Sequence, residues 1–122
     1  MNLRVVFIFN AIVAGFFAIV SLLIPVTMLS WYAVPSNPEI LLMTRFFGSA
    51  LVALSLLTFY LRNVDMSESI KSVVLALLIS DIVGLIVALM AQFAGTLNSL
   101  GWTTVIIYGL LSIGYLSVYM KK

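Results

Sequence analysis

The chain of 122 residues contains no cysteine and no histidine, and few of its residues are charged. Without cysteine there are no structural disulfides, thiolate metal sites, thiol nucleophiles or quinone–disulfide redox chemistry. Without histidine, imidazole ligation of haem and histidine acid–base catalysis are excluded too. Charged residues make up only 8% of the chain, and the formal net charge is +2. So small a charge gives no reason to expect a nucleic-acid partner.

Apolar residues make up 64% of the chain. Soluble domains have roughly 45–50% apolar residues and about 25% charged ones. A soluble fold of this length cannot hide that much apolar surface from water. The composition therefore predicts an integral membrane protein, with the lipid bilayer as its first partner.

Four apolar stretches are long enough to cross a bilayer, which takes about 20 helical residues. They cover residues 3–29, 40–61, 70–94 and 100–120. They are continuous, and they lack the alternation typical of strands. Because the links between them are short, consecutive helices are expected to be antiparallel. The sequence predicts a single transmembrane domain over residues 1–122, an all-α four-transmembrane-helix bundle in up-down-up-down order.

Residues typical of helix ends flank the second and third stretches. Asn37, Pro38 and Glu39 supply a cap, a first-turn proline and a first-turn acid for the second span. Asp65 followed by Glu68 resembles a capping box, which predicts the start of the third span.

Other breaks fall inside the first stretch and before the fourth. Pro25 frees the carbonyl of Ser21 and is expected to kink or end the first helix there. Gly95 suits the end of the third helix, and Asn98 or Ser99 suits the cap of the fourth. Whether Pro25 marks a hinge or only a helix end stays open.

The basic residues near the span ends predict the orientation. They collect on one side of the predicted bundle and comprise Arg4, Arg62, Lys71, Lys121 and Lys122. The other side has no lysine or arginine in its loops, so both termini are expected to be cytoplasmic. Aromatic residues near the span ends form the expected interfacial belt, namely Trp31, Tyr32, Tyr60, Trp102 and Tyr119.

Arg45 and Asp81 are the two charges deep inside the apolar stretches. Charges in a membrane are costly, so they usually face a protein interior or a wet cavity and often mark function. At about 1.5 Å of rise per residue, Arg45 is expected roughly 8 Å inside the outer boundary and Asp81 near the midplane. Helical side chains lean toward their own N-terminus, so these two lean apart. Two separate sites are therefore expected in preference to an ion pair.

Helical spacing predicts the faces on which these charges lie. Asp81 shares a face with small residues, Gly84 and Ala88 among them, so this face is expected to pack inward against another helix. Arg45 is expected to share an inward face with Gly48, Ser49 and Val52. The candidate functional residues are, with the two charges, the polar residues Asn10, Gln92, Tyr108, Ser112 and Tyr115.

Two interpretations of each charge stay open. Asp81 is either a neutral carboxyl that hydrogen-bonds across helices, or a carboxyl that exchanges protons or binds a cation during transport. Arg45 is either an anchor that reaches the outer headgroups or a cation that binds an anionic ligand.

A few short motifs support a resemblance. Residues 38–45, then Gly48, Ala53 and Gly101-Trp102, resemble small four-span bacterial membrane proteins of unknown function. The resemblance implies an integral helical bundle with an arginine early in the second span, and no activity to transfer.

The leading interpretation is a non-enzymatic protein of the bacterial inner membrane. We expect an accessory or scaffold subunit, or a component that contacts lipid or quinone, with other membrane subunits or a second copy as partner. No catalytic residue, metal ligand or specific cofactor is predicted. The alternative is a small dimeric transporter or channel that uses Arg45 and Asp81, and an intramembrane enzyme is the least favoured class.

Overall fold

The computed structural model describes residues 2–121. The helices are α1 (Leu3–Leu23), α2 (Pro25–Trp31), α3 (Pro38–Tyr60), α4 (Glu68–Phe93) and α5 (Trp102–Met120), with a 3₁₀ turn at Ser99–Gly101. No strand occurs within this part of the chain. The stretches α1, α3, α4 and Ser99–Met120 are long and apolar enough to cross a membrane. The prediction of an all-α chain with four such helices is confirmed.

The first predicted span, residues 3–29, is two helices. Pro25 has no N–H for the carbonyl of Ser21, and its ring obstructs a continuing helix. The backbone at Ile24 leaves helical geometry, with φ −132° and ψ 54°, although its N–H still bonds to the Val20 carbonyl at 3.1 Å. Helix α2 then starts with Pro25 in its first turn. The expected break at Pro25 is confirmed, and the long apolar helix of the first span ends at Leu23 instead of residue 29.

Side-chain caps set the starts of α3 and α4. Asn37 accepts a hydrogen bond from the N–H of Ile40 at 2.9 Å, as predicted. The cap of α4 is Ser67, whose hydroxyl accepts from the N–H of Ile70 at 3.3 Å. The predicted cap, Asp65, was wrong because it lies two residues before the cap position, out of register with the first free N–H groups.

The end of α4 and the start of α5 follow the predicted residues. Gly95 has φ +74°, a left-handed conformation that suits glycine after a helix. The side chain of Asn98 accepts from the N–H of Leu100 at 3.0 Å and so caps the 3₁₀ turn before α5.

Helix α1 packs along α3, and the two helices run in opposite directions. Near one end Gly48 lies against Ser21, and toward the other end Gly15 lies against Ser55. The Ser55 hydroxyl donates to the carbonyl of Ala11 at 2.8 Å. Glycine at two of these points lets the helices approach closely.

Helix α4 packs along α5, and these two helices also run in opposite directions. The Phe93 and Trp102 rings meet edge to face with centroids 6.0 Å apart. At the other end of the pair the Lys71 ammonium lies 5.1 Å from the Tyr119 ring centroid. These contacts make α4 and α5 the second helix pair of the structure.

Two apolar clusters join the helix pairs, one at each end. The first contains residues of α1, α4 and α5, namely Val6, Phe7, Ile70, Val74, Leu78, Leu111, Tyr115 and Val118. The second surrounds α2 and contains Val20, Met28, Leu29 and Tyr32, with Leu97 packed against it. Within residues 2–121, α3 has no extended packing with α4 or α5. A space is left between these helices.

Candidate functional site

A cavity of about 190 Å³ occupies the space between the two helix pairs. Residues of all five helices line it, and most of them are aliphatic or aromatic. The lining residues with polar groups are Asn10, Tyr32, Asp81, Thr104 and Tyr108. An apolar cavity with a few polar groups is the usual form of a small-molecule site.

Asp81 is the one charged residue among residues 2–121 that lines the cavity. Its side chain is 5% exposed, and Oδ2 is buried with no hydrogen-bond partner within the described chain. It lies near enough to the phenols of Tyr108 and Tyr115 for electrostatic interaction. The inward position predicted for Asp81 is confirmed. The buried oxygen leaves one strong acceptor in the lining without a donor.

Asn10 and Tyr115 make the polar contact that joins the helix pairs at this depth. The Asn10 amide nitrogen donates to the Tyr115 hydroxyl at 2.5 Å, and both side chains are buried. The Phe7 ring lies against the Tyr115 ring, with centroids 6.0 Å apart. This contact fixes α1 against α5 beside the cavity.

Tyr108 places its ring against Gly84 of α4. A Cβ built on Gly84 would lie 2.7 Å from two atoms of that ring. The glycine therefore lets α5 bring Tyr108 close to α4. Its position in the cavity lining beside Asp81 depends on this close approach.

Arg45 lies outside the cavity, on the exposed face of α3. The buried residues of this helix are Thr44, Gly48 and Thr58. Of the inward face predicted for Arg45, only Gly48 is buried, whereas Ser49 and Val52 are exposed. That part of the prediction was wrong.

The reason is the rotation of about 100° between neighbours in a helix with 3.6 residues per turn. Gly48 is followed directly by two further small residues, Ser49 and Ala50, so small residues mark more than one face of the helix. In the structure Gly48 lies against Ser21 and Leu22 of α1. That contact turns Thr44 inward and Arg45 outward. Arg45 has no ion-pair or hydrogen-bond partner among residues 2–121.

The other two candidates do not line the cavity. Gln92 donates its amide to the carbonyl of Asn98 at 3.0 Å and supports the connection between α4 and α5. Ser112 has a buried hydroxyl with no partner in the described chain. The structure thus brings Asn10, Asp81 and Tyr108 to one cavity, with Tyr115 bonded to Asn10.

Tyr32 is a lining residue that the sequence placed elsewhere. Its expected position was the interfacial belt, but its side chain is 8% exposed and packs with Met28 and Leu29. The break at Pro25 was the available signal. A second short helix after Pro25 turns Tyr32 back over the helix pairs.

The lining does not resemble a metal centre. No group of three or more Asp, Glu, His or Cys residues that would hold a metal ion occurs in the described residues. The arrangement instead offers one buried acceptor in an apolar cavity with aromatic walls. No protein-family model, curated protein or solved structure matches the chain.

Proposed function

We propose that the protein is a non-enzymatic integral membrane protein that acts as an accessory or scaffold subunit. It binds a partner membrane protein through the exposed face of α3. One observation carries this proposal: only three of the 23 residues of α3 are buried. Helix α3 is a long apolar helix with one neighbour along most of its length, so most of its surface is available to another helix.

One stripe of the exposed face of α3 is made of small residues. It presents Ser49, Ala50 and Ala53, all exposed, with Arg45 one turn before Ser49. Small residues let the backbones of two membrane helices approach closely. An arginine held in the membrane is costly until it meets an acceptor. A partner helix with an acidic or polar side chain near Arg45 satisfies both conditions.

The proposed placement is four spans in up-down-up-down order in the bacterial inner membrane, with both termini cytoplasmic. The antiparallel packing of the two helices within each pair supports this order. The basic residues at one end support the orientation, because basic loops stay cytoplasmic.

The orientation has a direct test because the chain has no cysteine. Single-cysteine variants Ser36→Cys and Asn63→Cys place a thiol in the first and second loops, at exposed positions. In intact spheroplasts, a membrane-impermeant maleimide is expected to label Ser36→Cys and to label Asn63→Cys only after permeabilisation. The reverse pattern would contradict the proposed orientation.

Photocrosslinking tests the association surface. A benzophenone amino acid at Ala53 lies on the exposed face of α3, and one at Ile113 lies on an exposed face of α5. Irradiation of native membranes is expected to give a discrete adduct from position 53 and none from position 113. An adduct of two chains would identify a second copy as the partner. Absence of any adduct from position 53 would count against the accessory role.

A second proposal is a small dimeric transporter or channel. The burial of Asp81 on the cavity wall favours it, because membrane carboxyls often carry protons or cations in transport. In this proposal Arg45 attracts anionic groups near the outer surface, away from the cavity. The flux of protons or cations into proteoliposomes is expected to fall strongly in Asp81→Asn and less in Arg45→Ala. Equal flux in both variants and the unmodified protein would remove both residues from the mechanism.

A further inference from the structure

We propose that the cavity is a binding site for a small organic cation with an apolar body, whose ammonium group contacts the Asp81 carboxyl. This site is separate from the association surface on α3. It does not require that the ligand be transported.

The buried carboxyl specifies the charge of the ligand. Asp81 is 5% exposed, and its Oδ2 atom has no donor within residues 2–121. In the part of the chain that the structure describes, no lysine or arginine lines the cavity. A buried acceptor without a donor is costly, and a buried charge without a partner costs more. An ammonium group supplies both the donor and the opposite charge.

The rest of the lining specifies an apolar body. The walls are mostly aliphatic, and aromatic rings of Phe17, Phe47, Tyr32 and Tyr108 face the same space. Aromatic faces attract organic cations, most strongly where water is excluded. An anion would lie against the Asp81 carboxyl, and an inorganic cation would find a single carboxyl instead of a set of ligands.

The volume indicates the size of the group that the cavity holds. An apolar cavity of about 150 Å³ in another protein holds one benzene molecule. The cavity here, at about 190 Å³, therefore suits one ring with a short amine substituent.

The test uses two probes of nearly the same shape. N,N-Dimethylbenzylamine is a cation at neutral pH, and isobutylbenzene replaces its nitrogen by carbon. Equilibrium dialysis compares the protein in nanodiscs of zwitterionic lipid with empty nanodiscs, so that partition into lipid is subtracted. The unmodified protein is expected to bind the cation at least about tenfold more tightly than its neutral isostere. Equal binding of the two probes would overturn the proposal without any variant.

Substitutions then assign the binding to the cavity. Asp81→Asn keeps the shape of the side chain and removes the charge, so it is expected to weaken cation binding by about thirtyfold or more. Asp65→Asn removes an exposed loop acid and is the matched control, with no effect expected. Leu54→Trp fills the cavity from α3 and is expected to abolish binding of both probes.

Circular dichroism and gel filtration in detergent establish that each variant is folded. Cation binding retained in folded Asp81→Asn, or lost equally in Asp65→Asn, would contradict the proposed site. These results do not depend on crosslinking at α3, so the accessory role and the cation site fail or succeed separately.

Discussion

Tyr115→Ala is expected to lower the free energy of unfolding by about 3–5 kcal/mol, the usual loss when a large aromatic side chain is removed from a core. Tyr115 is fully buried, and its ring packs with Phe7 in the cluster that joins α1, α4 and α5. The substitution also leaves the buried Asn10 amide without its acceptor. Reversible unfolding in mixed micelles, followed by circular dichroism, measures the change.

Two control variants separate the packing of Tyr115 from its hydrogen bond. Tyr115→Phe removes only the hydroxyl and is expected to cost about 1–2 kcal/mol, in the range for membrane hydrogen bonds and unpaired amides. Leu116→Ala changes the next residue, which is 48% exposed, and is expected to have little effect. If Tyr115→Ala and Leu116→Ala were equally mild, the Phe7–Tyr115 contact would not join the helix pairs.

Gly84→Leu is expected to destabilise the α4–α5 pair by about 2–3 kcal/mol or more through overpacking. Even the first added atom, Cβ, would lie inside the contact distance of the Tyr108 ring. The ring or the helix has to move, and the cavity wall moves with it. The same unfolding assay measures stability, and dialysis of dimethylbenzylamine measures the effect on the cavity.

Gly109→Leu is the matched control for Gly84→Leu. Gly109 lies in α5, one residue after Tyr108, and a Cβ there would meet no atom within 4 Å. Because leucine favours helix over glycine by up to about 1 kcal/mol, this variant is expected to be neutral or slightly more stable. Equal destabilisation by the two substitutions would mean that helix geometry, and not the Tyr108 contact, limits position 84.

The helices and their ends were accessible from the sequence because they follow local rules. Pro25 predicts a break by its missing N–H, and Asn37 and Gly95 act at the helix ends that their residue types favour. The error at Asp65 is local too. Two capping residues lie within three positions, and only the structure shows that Ser67 is in register with the first free N–H groups.

The packing faces were predictable where one face was unambiguous. Asp81, Gly84 and Ala88 recur at helical spacing with large residues around them, so the inward face of α4 was clear. On α3, Gly48 and Ser49 are adjacent small residues, and either could face α1. The contact of Gly48 with Ser21 and Leu22 decides which face turns inward. A contact between two helices cannot be predicted from the sequence of either helix alone.

The cavity itself could not be predicted from the sequence. It exists because α3 packs with α1 but has no extended packing with α4 or α5 among the described residues. The sequence indicates that Asn10 and Asp81 lie at similar depth. It does not indicate that a space separates the helix pairs, or that Tyr32 turns back to line it.

Contacts close both ends of the helix assembly, whereas in the described part of the chain its side along α3 lacks such contacts. At one end the cluster around Phe7 and Tyr115 closes the structure, and at the other the backbone N–H and side-chain amide of Asn98 donate to the carbonyls of Tyr32 and Trp31. For the proposed cation site we therefore expect the ligand to enter by lateral diffusion within the bilayer, past the edge of α3. Occupancy then follows the concentration of the ligand dissolved in lipid. Among cations that fit equally well, those that partition more strongly into the membrane will occupy the site at lower aqueous concentration.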